Sequence, residues 1–131
     1  MKGGESVEYL LIIPGKLPNL NDYISAERAN KYKGAKLKGE SEDIVSRCIR
    51  QQLKGVHITK PVSMAYVWYE PNKRRDLDNI SSFGRKVIQD ALVNSGVLEN
   101  DGWQNIRGFN DEFRVSKDEP RIEVHIFEVE R

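Results

Sequence analysis

The sequence predicts an α/β domain in which a single mixed β-sheet packs against two main helices. Three observations predict it. Apolar residues alternate over residues 7–13, 61–70 and 121–129, as in strands. They recur near a 3.6-residue spacing over 41–54 and 79–93, as in amphipathic helices. The order strand, helix, strand, helix and a two-strand finish suits one sheet with helices against it. At 131 residues, with no internal repeat, the whole chain 1–131 reads as one domain.

The first strand places Val7, Tyr9, Leu11 and Ile13 on one side, and Pro14-Gly15 ends it. Residues 16–23 are turn-like. Residues 25–38 are polar and rich in lysine, which predicts a short helix followed by a mobile basic loop around Gly34. Ser41 is the expected N-cap of the first long helix, Gly55 its stop, and Ile44, Val45, Cys48, Ile49 and Leu53 its apolar stripe. The second strand lines Val62, Met64, Tyr66 and Trp68 along one face; Val67 and Tyr69 make the other partly apolar. The second long helix carries Ile80, Phe83, Val87, Ile88, Ala91 and Leu92, with Asp78 or Asn79 as cap and Asn94-Ser95-Gly96 as stop. Val97 and Leu98 then return the chain to the core. A short strand is expected within 105–114, broken near Gly108 or Asn110-Asp111. The last two strands, 105–114 and 121–129, have a short connection and are expected to be antiparallel.

Composition removes several function classes. One cysteine, Cys48, excludes an intrachain disulfide framework and a cysteine-built zinc site; it reads as a core thiol. His57 and His125 are too dispersed for a metal cluster, and read as a loop residue and a partly exposed sheet residue. The longest apolar run, Leu10–Pro14, is far too short to span a membrane, and no signal peptide is evident after Met1, so the cytoplasm is the expected compartment. Net charge is +1, so a nucleic-acid binder must separate its charges in space. The sequence hints at this: Arg28, Lys31, Lys33, Lys36 and Lys38 cluster, as do Lys73-Arg74-Arg75 and Arg85-Lys86, while the C-terminal tail is acidic.

The strongest chemical feature is Asp76-Leu77-Asp78-Asn79, at a strand-to-helix passage. In extended backbone, side chains two residues apart share a side, so both carboxylates reach one hard cation such as Mg²⁺. The plainer reading is a helix-capping cluster in a surface loop. Lys73, Arg74 and Arg75 weigh against it: they have no evident structural task and suit phosphate contacts beside a metal. A third carboxylate is expected. Asp101 is the best candidate, although Asn100-Asp101-Gly102 also reads as a plain turn; Glu70, at the end of a strand, is the other. Lys86, or its rival Arg85, is placed to offset charge in a transition state, unless both lie on a solvated helix face. Trp68 is patterned as core, whereas Trp103 follows a turn and is a candidate for stacking on bases. No Ser-His-Asp or Cys-His arrangement competes.

The run Arg74-Arg75-Asp76-Leu77-Asp78-Asn79, then Asp90-Ala91-Leu92, Gly96 and Asn100-Asp101, resembles the RusA family of Holliday-junction resolvases. Pro18-Asn19-Leu20-Asn21 and the closing strand 121–129 are similar to it more loosely. The resemblance implies a small homodimeric α/β protein, frequently encoded by prophages, that binds four-way DNA junctions and cuts two opposed strands with Mg²⁺ or Mn²⁺. It places the metal and catalytic carboxylates at Asp76, Asp78 and Asp101. Where the best-studied members have a second acidic residue, this chain has Asn100. The family's helix lysine falls on Ser82 by direct count and on Lys86 if one helical turn is added; Lys86 is preferred. The implied DNA contacts are Lys73, Arg74, Arg75 and Arg85. A two-fold protein would match the paired cut sites, with Tyr66, Tyr69, Phe109 or Phe113 as candidate interface aromatics. Two alternatives stand beside this one: a non-catalytic junction-binding module on the same scaffold, and a structural protein with surface charge clusters.

Overall fold

The computed structural model describes residues 7–130. The first six residues and the last one of the expected domain, including the start read for a signal peptide, lie outside the described residues. The element order is β1 (Glu8–Pro14), α1 (Leu20–Ala29), α2 (Lys31–Gln52), β2 (Val62–Glu70), α3 (Leu77–Asn94), β3 (Ile106–Val115) and β4 (Arg121–Glu128). The strands form one mixed sheet in the order β1-β4-β2-β3. β4 is antiparallel to both β1 and β2, whereas β2 and β3 run parallel with α3 as their crossover. The last two strands are antiparallel in direction, as expected, but they do not pair, because β2 lies between them.

The helices cover one face of the sheet. Leu11 and Ile13 of β1, Val62, Met64, Tyr66 and Trp68 of β2, and Ile122, Val124 and Ile126 of β4 are buried there against Val45 and Ile49 of α2 and Phe83, Val87 and Ile88 of α3. Tyr66 is therefore core and unavailable to a partner. The alternate positions, such as Val67, Tyr69 and His125, are half-buried on the other face. His125 pairs there with Glu8 at 2.8 Å, and Arg121 stacks on Tyr69 at 3.8 Å. α3 packs tightly against the sheet at Gly84, where a Cβ would come within 2.9 Å of the Trp68 ring.

Two expectations near the N-terminus are corrected. The basic stretch around Gly34 is helix, not loop: α2 starts at Lys31, ten residues before the expected start at Ser41. Asn30 caps it by accepting from Lys33 N–H at 2.9 Å, while Ser41 is a buried mid-helix residue whose hydroxyl donates to the Leu37 carbonyl at 2.7 Å. Asn19 and Asp22 form a reciprocal capping box for α1. After α3, Gly96 takes a positive φ of 80°, and Val97 and Leu98 are buried, returning the chain as expected. The expected break in the 105–114 strand is a bulge: Val62 pairs with Ile106 and Ser63 with Gly108, so Arg107 is the extra residue.

Candidate active site

β2 delivers the chain to the candidate site and α3 leads it away. The turn between them is tied down at its base. Glu70, 6% exposed, accepts two bonds of 2.8 Å from Arg75, whose remaining nitrogen donates to the Leu17 carbonyl at 3.1 Å. Such a bidentate pair fixes geometry as well as charge. Arg75 thus has a structural task that the sequence did not show, and Glu70 is spoken for rather than open to a metal. Asn72 closes the turn by accepting from Arg74 N–H at 3.0 Å. The side chains of Lys73 and Arg74 remain exposed. A cavity of about 630 Å³ opens here, lined by Glu70, Lys73, Arg75, Asp76 and Arg114 among others.

Asp76, not Asp78 or Asn79, occupies the cap position of α3, and its side chain makes no capping bond. Its backbone is extended, with φ −71° and ψ 149°, whereas Asp78 already belongs to the first helical turn. The expected side-by-side arrangement in extended backbone is therefore replaced by one across a helix start. Both residues are exposed, and neither carboxylate is engaged by a hydrogen bond or ion pair among the described residues. Backbone N–H groups at that helix end favour negative charge.

Lys86 and Asp101 do meet. The Lys86 ammonium lies 3.3 Å from Asp101 and 3.0 Å from Asp90, and the other oxygen of Asp90 is 3.1 Å from Lys38 of α2. Hydrogen bonding to Asp90 first, opposed by desolvation and aided by Asp101, holds the Lys86 pKa above the usual lysine value, so it stays a cation. The sequence shows Asp90 and Lys38 only as part of a motif and of a basic cluster, not as partners of this site; the four-residue spacing of Lys86 and Asp90 on one helix was the available signal for the first pairing. Glu42, Val93 and Asn94 complete the lining of a cavity of about 380 Å³ at this place. Eight residues separate Asp78 from Lys86, about 12 Å along the helix axis. Among the described residues no group of three or more His, Cys, Asp or Glu converges closely enough to hold a metal ion.

The remaining candidates also find places. Arg85 pairs with Asp111 at 2.7 Å and stacks on Phe109 at 4.5 Å, and Asp111 also accepts from the Trp68 indole at 2.9 Å. Ser82 donates to the Asp78 carbonyl. His57 meets the Gly96 carbonyl at 2.7 Å. Cys48 is buried in α2, and burial pushes its thiol pKa up. No described helix is long and apolar enough to cross a membrane.

The fold and this site define a small α/β domain that presents acidic and basic side chains at both ends of one helix. The chain belongs to the family described as Endodeoxyribonuclease RusA, which it matches over residues 14–127. That membership implies a nuclease acting on DNA. A search of the curated proteins found no match.

Proposed function

We propose that the chain is a divalent-metal-dependent endonuclease that resolves four-way DNA junctions by paired hydrolysis, working as a homodimer in the cytoplasm. The observation that carries this reading is the pair Asp76 and Asp78: two unengaged carboxylates at a helix start, beside exposed Lys73 and Arg74, in a chain of this family. Their oxygens fit a hard cation, which one or two carboxylates hold while water and phosphate fill the other positions. Asp76 and Asp78 would hold the ion, Mg²⁺ or Mn²⁺. When bound, it would supply charge neutralisation and activation of water for attack on phosphorus.

The chain's own residues do the rest. Lys73 and Arg74 take the phosphates of the approaching strand and set its register. Arg75 serves the same surface from below, by clamping the turn through Glu70. Lys86, kept cationic, turns from Asp101 toward the phosphate as negative charge builds there. Asp101 is thereby freed to join Asp76 and Asp78 as the third carboxylate. Arg85, committed to Asp111, flanks the DNA rather than the reacting phosphate.

The experiment is a gel series on a mobile four-way junction, a linear duplex and a flap, with Mg²⁺ or Ca²⁺, comparing the parent with Asp78→Asn. Symmetric cuts on the junction alone, lost in the variant and in Ca²⁺, are expected. Undiminished cutting by Asp78→Asn would refute the site, and equal cutting of all three substrates would discard the resolvase. Binding without cutting would establish the second reading, a non-catalytic junction module. That reading draws on Asn100 and on the engagement of Asp101 by Lys86.

A further inference from the structure

We infer that Trp103 and the polar cavity lined by its chain neighbours Gln104 and Asn105 form a nucleobase-binding patch, which engages a base exposed at the branch of the DNA. The inference rests on the nuclease reading for its substrate and for its place beside the cut. Trp103 is 94% exposed, the most of any large apolar side chain among the described residues. No hydrogen bond, ring contact or cation engages its indole among them. The turn that presents it is nonetheless well held. Asn105 and Ile106 N–H both donate to the Gly102 carbonyl, at 3.0 and 2.9 Å, and the Asn100 side chain accepts from Asp101 N–H at 2.7 Å. Asp101 is anchored in turn by Lys86. A flat apolar surface on an anchored turn loses little freedom when it stacks.

The residues on either side of Trp103 in the chain point to the kind of ligand. A cavity of about 570 Å³ is lined by Asn100, Gln104 and Asn105, with Glu99 and Arg107. Its two charges are opposite, so it does not favour a phosphate. Its three amides offer donors and acceptors together, the chemistry that reads the edge of a base. Arg107 is the bulged residue of β3, and a bulge re-aims the side chain it carries. Among the parts of a DNA strand, only a nucleobase combines a π-face for the indole with an uncharged polar edge for the amides. Trp103 follows Asp101 by two residues, at most about 7 Å along the backbone, so a base stacked there lies within a nucleotide or two of the phosphate beside Asp101.

Trp68, the only other tryptophan, is buried at 2% exposure, so fluorescence that iodide quenches in the free protein comes from Trp103. The test titrates the protein with a four-way junction in Ca²⁺, follows tryptophan emission and band shift together, then maps cut positions in Mg²⁺. Emission should fall as the junction binds, and the change should be absent in Trp103→Phe. Trp103→Ala should weaken junction binding about tenfold and spread the cuts over more positions of a mobile junction. Gln104→Ala should shift cut positions with little loss of affinity. A parent that binds and cuts, with a Trp103→Ala variant indistinguishable from it, overturns the patch and leaves the nuclease reading standing. Trp103 shielded from iodide in the free protein, with Trp103→Ala turning a dimer to monomer, assigns the indole to a protein contact and overturns the patch as well. A parent that binds no DNA removes both readings.

Discussion

The two halves of α3 carry similar residues in opposite circumstances. At the start, Asp76 and Asp78 are exposed and unengaged. Further along, Asp90 and Asp101 share the Lys86 ammonium, and Asp90 also holds Lys38. An unengaged carboxylate pair at a helix start has only N–H dipoles to balance it, so an incoming cation meets little competition. A carboxylate already paired must first lose its lysine. The difference teaches that readiness for a metal depends on which neighbours have claimed the oxygens, not on how many acids lie close in sequence. It also separates two roles that spacing alone merges: one end receives an ion, and the other keeps a lysine charged and oriented.

Five substitutions test that contrast, from the largest expected effect to the smallest. Asp78→Asn should lower Mg²⁺-dependent junction cleavage roughly 10³-fold, since several kcal/mol of charge stabilisation depend on the ion; single-turnover assays read the rate and band shifts show binding retained. Asp101→Asn should lose less, because Asp101 joins the ion only after Lys86 has left it; an equal loss, with the same metal titration, would make the two ends one site at rest and break the contrast. Glu70→Ala leaves the Arg75 guanidinium, 14% exposed, without its partner, and should cost about 3 kcal/mol in urea unfolding. A cost near zero would mean that the clamp under Asp76 is slack. Lys86→Ala should slow cutting about 10- to 100-fold while junction affinity changes much less, because the cation is assigned to the transition state. A loss of affinity as large as the loss of rate would move Lys86 to phosphate binding. Lys38→Ala removes only the outer contact of Asp90, at a partly exposed lysine, and should change stability by less than about 1 kcal/mol by the same unfolding assay.

Much of the fold was legible because burial imposes periodicity. The stripe from Ile80 to Leu92 placed α3 within two residues of its observed bounds, and the alternation of β2 and β4 matched their buried faces. α2 was misread at its start because its first turns bury almost nothing, Gly34 apart, so no apolar stripe marks them. The true signal there was a polar one, the Asn30 cap, and Ser41 imitated it from inside the helix. The pairing of β4 with β2 rather than β3 was hidden for another reason. A short connection favours neighbours, and only the half-buried second face of β2 hinted that β2 is flanked on both sides. At the site, the acids and lysines could be named from sequence, but not their partners. Glu70–Arg75 and Lys86–Asp101 are closed by a turn and by a loop, whose geometry is set by packing rather than by residue type.

The position of β4 bears on how the chain is made. Among the described residues β1 has one strand partner, β4, which is the last of the described strands in chain order. At about 5–20 residues per second, β1 waits roughly 5 to 20 s for it, because more than a hundred residues must be added in between. Throughout that interval the nascent protein exposes β1 and one side of β2 as open edges, ready to pair with other chains. A premature stop ahead of Arg121 would leave both edges open for good, and the product would be expected to aggregate rather than survive as a weakened enzyme.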